Sequence, residues 1–420
     1  MCYIFYFVSV TFELIKMIHK DVIIIGGGAA GFFAAINIAI NNSKIKILIL
    51  ERGKEGLQKV KISGGGRCNV THAEFIPSDL CSNYPRGNKE LLGPFHKFMT
   101  TDTMKWFEER GVEMKTEKDG RIFPVSNNSQ TIIDCFLDEV HSKKIEVFYN
   151  HSVKSLKKND KSWILNTQEE TFSANKILVS TGSNRNMWNM LKGLNHTIIE
   201  PVPSLFSFNI DDKRISSIPG IAINDVEIKV INSKISSQGP LLITHKGLSA
   251  PSILKLSAFG ALEFASLGYK FSISVNFLKI SYMECLGKLK TFKNNLSKKR
   301  IIKFSPFGIP TRLWKELAVY SKIKEEKIWA ELNNEELKSL ATELTSSVFN
   351  VSGKSTFKEE FVTAGGVALT EINFKTFESK IHKNLFFAGE ILNIDAVTGG
   401  FNFQNAWTGA FIASEAISSN

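Results

Sequence analysis

The run Asp21-Val22-Ile23-Ile24-Ile25 passes directly into Gly26-Gly27-Gly28-Ala29-Ala30-Gly31, and this junction constrains the fold more than any other stretch of the chain. Consecutive isoleucines suit a strand buried on both faces. The residues after the glycines, FFAAINIAINN, are small and apolar and suit a packed helix; IKILIL at 45–50 then gives a second strand that ends at Glu51. Together they make a βαβ unit of about 30 residues. In such a unit Gly26 permits the tight turn, Gly28 lets the backbone approach a pyrophosphate, and Gly31 allows close helix–strand packing. The helix start adds free N–H groups and positive dipole. Glu51, 20 residues after Gly31, stands where a carboxylate accepts hydrogen bonds from ribose hydroxyls. The plain alternative is a glycine turn with no ligand, but strand, helix and acid all fall in register for a dinucleotide.

The rest of the chain decides which dinucleotide. An NAD dehydrogenase would continue with further βαβ units. Here KILVSTG at 176–182 and NLFFAGE at 384–390 read as two more buried parallel strands about 200 residues apart, so a large insertion separates two pieces of one sheet. After the second strand come Gly389-Glu390, Asp395 and Thr398-Gly399-Gly400-Phe401-Asn402-Phe403-Gln404, then a small-residue helix, NAWTGAFIAS. That segment can bring a carboxylate to the ribityl and pyrophosphate region and aim a helix start at a flavin pyrimidine ring, where negative charge develops on reduction. The Thr181-Gly182 turn fits the same build. FAD accounts for all of these features; NAD accounts only for the first.

Ser63-Gly64-Gly65-Gly66-Arg67-Cys68-Asn69 is the second glycine cluster. Standing away from a helix cap, it would let the backbone press on a planar or phosphate-bearing ligand; a flexible loop is the alternative. Arg67 supplies a charge that cannot be titrated away and Asn69 a donor–acceptor pair. Cys68 has no second cysteine nearby and reads as a spectator thiol rather than a redox centre.

The expected architecture is therefore α/β. A Rossmann-like FAD-binding domain spans 17–195 and 360–420. An inserted β-barrel domain spans 196–280 and 348–359, where LFSFNI, IAINDVEIKVI and YKFSISVNFL read as antiparallel strands. A helical subdomain spans 281–347, with EEKIWAELNNEELKSLATEL as a helix-forming run. Residues 1–16 are apolar but too short to span a bilayer and carry no signal-peptide pattern. They read as an extension outside the fold, from a start codon placed too far upstream.

At 420 residues, 43% hydrophobic and 22% charged, the composition excludes a disordered tail, a fibre and a polytopic membrane protein. Five cysteines with no CxxC pair argue against a disulfide framework or a zinc site, so no metal is expected and the cytoplasm is the expected compartment. The net charge is +11, and residues 281–315 carry nine basic residues against Glu284 alone, a local charge of +8. Two readings stay open for this stretch: a solvated lysine-rich surface, or a stripe facing RNA.

VIIIGGGAAG, SGGGRCNVTH, GRIFPVSNNS, LLITHKGLSAPSIL, TAGGVALTEI and LFFAGEILNIDAVTGGFNFQNAWTGA together resemble the signature segments of the BaiN-like flavoproteins, also called aminoacetone oxidase family FAD-binding enzymes. The likeness runs from about residue 20 to 418. It implies non-covalent FAD, with Gly26, Gly28, Ala30, Gly31, Glu51 and Arg52 on the ADP half. Gly65, Gly66, Arg67, Cys68 and Asn69 would lie toward the flavin, with Thr181, Gly182, Gly389, Glu390, Asp395, Gly400, Phe401 and Asn402 completing the site. The chain departs from the pattern at Ser180 and Ser183, where ATGG is usual, at Asn393, where aspartate is common, and at Ala250, where GLSGP has glycine.

Candidates for the chemistry itself are few. His245, after Thr244, could donate a proton, and Arg121 could anchor an anionic substrate or FAD. His72 and Glu371 are further candidates to face the flavin. The leading expectation is a reductase passing a hydride from NAD(P)H, docked transiently, through flavin N5 to an activated C=C bond. The resemblance also implies two alternatives, reduction of a uridine in ribosomal RNA to dihydrouridine and an amine oxidase using O2; an FAD-bound scaffold is the non-enzymatic reading. Partners are thus a small-molecule substrate or rRNA, with no membrane span.

Overall fold

The computed structural model describes residues 17–355 and 362–419, so the expectation for residues 1–16 lies outside the described residues. Five parallel strands form the centre: β1 (Ile18–Ile25), β2 (Ile47–Leu50), β3 (Glu146–Phe148), β4 (Thr171–Val179) and β5 (Leu385–Phe387). Their order is β5-β4-β1-β2-β3, which puts β1 in the middle. The four isoleucine and valine positions of β1 from Val22 to Ile25 and all of β2 are buried, as expected for strands covered on both faces. Helix α1 (Ala29–Asn41) carries no acidic or basic residue in its first or last turn and buries Ala30 through Ile38. It can be so apolar because helix α2 (Phe401–Ser418) packs along it, with Phe33 meeting Trp106 and Trp407 at ring distances of 4.6 and 5.3 Å. The chain's last strand and helix therefore complete the sheet that its first strand begins.

The insertion between β4 and β5 contains a seven-stranded antiparallel sheet. Its order is Ser347–Val351, Phe271–Asn276, Ala222–Val230, Ser236–Thr244, Gly247–Ser249, Ser207–Asn209, Gly353–Ser355. The two edge strands are consecutive in the chain, with only Ser352 between them. One bent segment thus supplies both edges, and the sheet curls round on itself like a barrel. Helices Pro251–Phe259 and Ala261–Ser266 lie between its strands; their short apolar runs did not separate from strand patterns in the sequence. Buried hydrophobic side chains fall into two clusters, one around the parallel sheet, α1 and α2, the other shared by the barrel and helices Tyr282–Asn295, Thr311–Tyr320 and Asn334–Thr345. A two-stranded antiparallel ribbon, Ile198–Ser204 with Val362–Val367, joins the regions.

Two local expectations need correction. The run at 325–344 is not one helix: it forms a short turn at Trp329–Glu331 and then stops. Asn333 starts a new helix by a reciprocal cap, its side chain accepting from Glu336 N (2.9 Å) while Glu336 accepts from Asn333 N (2.9 Å). The glycines of SGGGR do not stand apart from a helix either. They end the helical turn that begins at Gln58, breaking it at Ser63 (ψ 150°). Among the described residues no helix is long and apolar enough to cross a membrane.

Candidate cofactor cleft

The residues expected to form the cofactor cleft gather at the carboxyl ends of β1, β2, β4 and β5, where ligands bind in open parallel sheets. Its glycines divide by what a side chain would meet. A Cβ on Gly26 (φ +110°) would lie 2.7 Å from the Ser180 carbonyl oxygen, and one on Gly31 only 2.0 Å from the Gly26 carbonyl oxygen. These two are demanded by the turn and by helix–strand packing. A Cβ on Gly28, Gly65 or Gly66 would meet nothing within 4 Å. Gly64, Gly65 and Gly66 all have positive φ, and Cys68 follows at +60°; Gly64 packs against the Phe123 ring, while at Gly65 and Gly66 the backbone faces open space.

Charges around the cleft are already oriented. The Glu51 carboxylate accepts hydrogen bonds from Gly27 N and Gly53 N, each at 2.7 Å, which fixes it at the end of β2. Arg52, next to it, is exposed. Glu390 is paired with Lys59, and Gly182 sits 3.8 Å from that carboxylate and 3.9 Å from the ammonium, measured from its would-be Cβ. Gly389 likewise faces Ala30 and Ala406 at 3.6 and 3.8 Å, so α1, α2 and the β5 turn converge. Arg67 pairs with Glu117 at 2.6 Å and lies over the Phe123 ring at 3.9 Å. Arg121 shares that Glu117 (3.3 Å) and also pairs with Asp119 (2.8 Å), on the strand beside His72.

The closing segment is locked to this wall. Gly400 (φ +95°) caps α2 and would clash with the Thr71 carbonyl oxygen if it carried a Cβ. His72 Nδ1 donates to the Gly399 carbonyl oxygen at 3.0 Å, and its ring stacks on Phe401. Gln404 accepts from Thr71 and Thr103, and Trp407 donates to the Val70 carbonyl oxygen. Asn402 holds the loop by accepting from Ala396 N at 3.0 Å. Thr181 Oγ1, Asn69 Oδ1 and Asn393 Oδ1 are buried without a hydrogen-bond partner. Burial pushes the Cys68 thiol up to about 12, so it stays protonated and suits the spectator reading.

Three expected site residues have other neighbours. Asp395 is fully buried in an ion pair with Arg86 and accepts from Ser204 Oγ at 2.8 Å; Arg86 also donates to the Ala258 carbonyl oxygen of the insertion at 2.8 Å. Burial holds the Asp395 carboxyl above its ordinary range against the pull of Arg86. Glu371 does not face the cleft residues: it bonds His196 and Thr197 N at the foot of the ribbon. His245 is exposed on the barrel hairpin, beside a cleft of about 410 Å³ that Asp211, Ser216 and Lys246 also line. No hydrogen bond or ion pair among the described residues joins it to the cofactor cleft. The sequence reading missed Lys59 and Arg86. Lys59 stands one helical turn before the SGGGR glycines, which was a usable signal; Arg86 in YPRGN gave none without its partner.

These observations meet the demands of the FAD that the sequence resemblance implies. There is open space against backbone at Gly28 and at Gly65-Gly66, a helix start with no side-chain cap at Gly28, a fixed carboxylate at Glu51, and a second helix start at Gly400. The residues present fit the group.

Comparison with known proteins gives the same picture. Over 409 residues the chain is 25% identical to a 3-dehydro-bile acid delta(4,6)-reductase of Clostridium scindens, covering 94% of this chain and 98% of the relative. It is 26% identical over 412 residues to a ribosomal RNA dihydrouridine synthase of Escherichia coli, covering 94% and 97%. In fold it resembles the 3-ketosteroid-delta4-(5alpha)-dehydrogenase of Rhodococcus jostii at a TM-score of 0.51 and 11% identity, covering 98% of this chain and 99% of that one. Residues 20–416 match the family described as the HI0933-like protein Rossmann domain. The resemblance read from the motifs is thus borne out: the chain belongs to the HI0933-like Rossmann family and is a flavoprotein oxidoreductase.

Proposed function

We propose that the chain binds FAD non-covalently in this cleft and uses NAD(P)H to saturate a ring C=C bond conjugated to a carbonyl. The observation that carries the reading is the set of glycines whose missing side chains face open space, Gly28, Gly65 and Gly66. The relatives' names support the reaction class: a delta(4,6)-reductase acting on a 3-oxo steroid and a dihydrouridine synthase both add hydrogen to a ring C=C conjugated with a carbonyl. FAD, when bound, supplies hydride acceptance and donation at N5. The first turn of α1 would hold the pyrophosphate through free N–H groups, and Glu51 the ribose hydroxyls. Gly65 to Asn69 would line the flavin, and the start of α2 would stabilise charge on its pyrimidine ring.

Hydride reaches the carbon remote from the carbonyl, and a proton must reach the carbon beside it. His72 is committed to Gly399 and packed on Phe401, whereas His245 is exposed and no hydrogen bond or ion pair among the described residues engages it. The roles proposed from the sequence are kept, His245 as proton donor and Arg121 as substrate anchor, and the first requires the substrate to reach from the cofactor cleft to the barrel hairpin that carries His245. Four free, buried cysteines support a cytoplasmic setting.

The test is direct. The purified protein should be yellow, and acid should release FAD. NAD(P)H should bleach the flavin without oxygen, and a conjugated enone or a uridine-containing RNA should restore the colour. His245→Asn should lower kcat without lowering flavin content. A colourless protein, or one holding FMN, overturns the cofactor; reoxidation by O2 with an amine as donor, and none by either acceptor, overturns the reductase. A second reading names the acceptor as a uracil ring in RNA. It is favoured by one observation: the cations of residues 281–315 are mostly exposed on the inserted helices, far in sequence from every cleft motif.

A further inference from the structure

Residues 297–304 (SKKRIIKF) form a strap across the helical part of the insertion. Its backbone is fixed at several points. Ala330 N donates to the Ser297 carbonyl oxygen (3.0 Å), Trp329 N to that of Lys299 (3.0 Å), and Ile301 N to that of Lys327 (3.2 Å). Trp314 Nε1 donates to the Ile301 carbonyl oxygen at 2.8 Å. Beneath it Trp314 and Trp329 stack, with Phe292 edge-on to Trp329 and Phe307 and with Phe307 tilted against Trp314, and Ile301 and Ile302 turn inward. The strap is therefore rigid before anything binds it.

Its outer face is unusual in charge and in shape. Three nearby lysines are neutralised: Lys288 by Glu284, Lys315 by Glu325, Lys327 by Glu336. Lys298, Lys299, Arg300 and Lys303 are all exposed, and none pairs with a carboxylate among the described residues. Amid them Phe304 is 54% exposed. The Lys299 ammonium stands 5.9 Å from the centre of the Phe304 ring. Unpaired cations flanking an exposed ring on a fixed backbone match what a single strand of nucleic acid requires: phosphate contacts on either side of a stacking platform.

We propose that this strap grips single-stranded RNA, with Phe304 stacking on an unpaired base and Lys298, Lys299, Arg300 and Lys303 holding the flanking phosphates. The partner's identity rests on the RNA reading above; the platform rests on charge and exposure. An anionic membrane fits less well, because one ring on a rigid strap offers no broad apolar face. Duplex RNA hides its base faces and would leave Phe304 unused.

The experiment uses the full-length, FAD-loaded protein and a fluorescent single-stranded oligoribonucleotide rich in uridine, followed by anisotropy across salt concentrations. Phe304→Leu should weaken binding by about tenfold or more while leaving the salt slope unchanged, since stacking carries no counterion. Changing Lys298, Lys299 and Arg300 together to Ser should flatten the slope by roughly 2, at about 0.7 per phosphate contact on a single strand. Flavin content and melting temperature report that each variant is folded. Equal affinity for duplex RNA, an unchanged slope in the triple variant, or capture by phosphatidylserine vesicles that Phe304→Leu abolishes would each overturn the proposal. Uridine reduction is read separately by nucleoside mass spectrometry. Binding without reduction sinks the function while leaving the grip; reduction without binding at the strap does the opposite.

Discussion

The cofactor cleft and the insertion solve the problem of backbone and charge in opposite ways. At the cleft nearly every charged group is already held: Glu51 by two backbone amides, Glu390 by Lys59, Arg67 by Glu117, Asp395 by Arg86. Left-handed backbone there is given mostly to glycine, at 26, 64, 65, 66, 399 and 400, with Cys68 (φ +60°) an exception in the second glycine loop. On the insertion the strap leaves four cations unpaired, and an alanine, Ala250, takes a conformation suited to glycine (φ +87°, ψ 174°). The difference follows from what each must do. A cleft for a fixed cofactor gains from groups that need no reorganisation when it binds. A surface for a polyanion gains from cations that have no competing partner.

The comparison breaks most sharply at Arg86. Its side chain and that of Asp395 are 10% and 0% exposed, and it also reaches Ala258 across to the insertion. Arg86→Met leaves a buried carboxylate uncompensated, which costs about 3–5 kcal/mol. The urea midpoint should fall accordingly, and Asp395→Leu added to it should recover most of the loss. A single variant as stable as the parent would show that the cleft's paired charges do not hold the two regions together. By contrast, the next change should stabilise. Ala250→Gly relieves about 1–3 kcal/mol of backbone strain and gives back about 0.4–1 kcal/mol through a freer unfolded chain. A net gain of about 1 kcal/mol should appear as a higher melting temperature; no gain would mean the insertion tolerates this backbone without strain.

Periodicity and spacing carried the fold a long way, for a physical reason. Parallel strands buried on both faces leave uninterrupted apolar runs, so β1, β2, β4 and β5 were all visible as DVIII, IKILIL, KILVSTG and NLFFAGE. The glycines of the cleft were legible because a turn and a close approach leave no alternative residue. The pairing of charges was not legible. Nothing in YPRGN marks Arg86 as the partner of Asp395, since 309 residues separate them. Glu371 looked like a flavin-facing acid because it follows TAGG. The ribbon carries it instead to His196, a contact that arises only once the two crossings between the regions lie side by side.

That contact gives the smallest effect and tests the joint between the two regions. His196 is 2% exposed. Its Nδ1 bonds Glu371 at 2.9 Å and its Nε2 lies 3.2 Å from Ser379 Oγ, with His382 as its other titratable neighbour. Burial lowers the His196 pKa, and the Glu371 bond only partly offsets it. In the unfolded chain this histidine takes a proton near its ordinary value of about 6.5. As pH falls through that value, the unfolded state binds more protons than the folded one, so stability declines until the folded pKa is reached. Glu371 is held below the usual carboxylate range, so its own contribution is kept above its ordinary value of about 4.3 and lost only in stronger acid. The His196 window therefore opens at a higher pH than the Glu371 window. Between about pH 7 and pH 6 the His196 contribution to the loss is at most about 0.7 kcal/mol. His196→Gln should be less stable than the parent at neutral pH yet show a flatter decline over that interval in urea titrations. An identical decline in both proteins would place the acid sensitivity elsewhere and leave this joint indifferent to protonation.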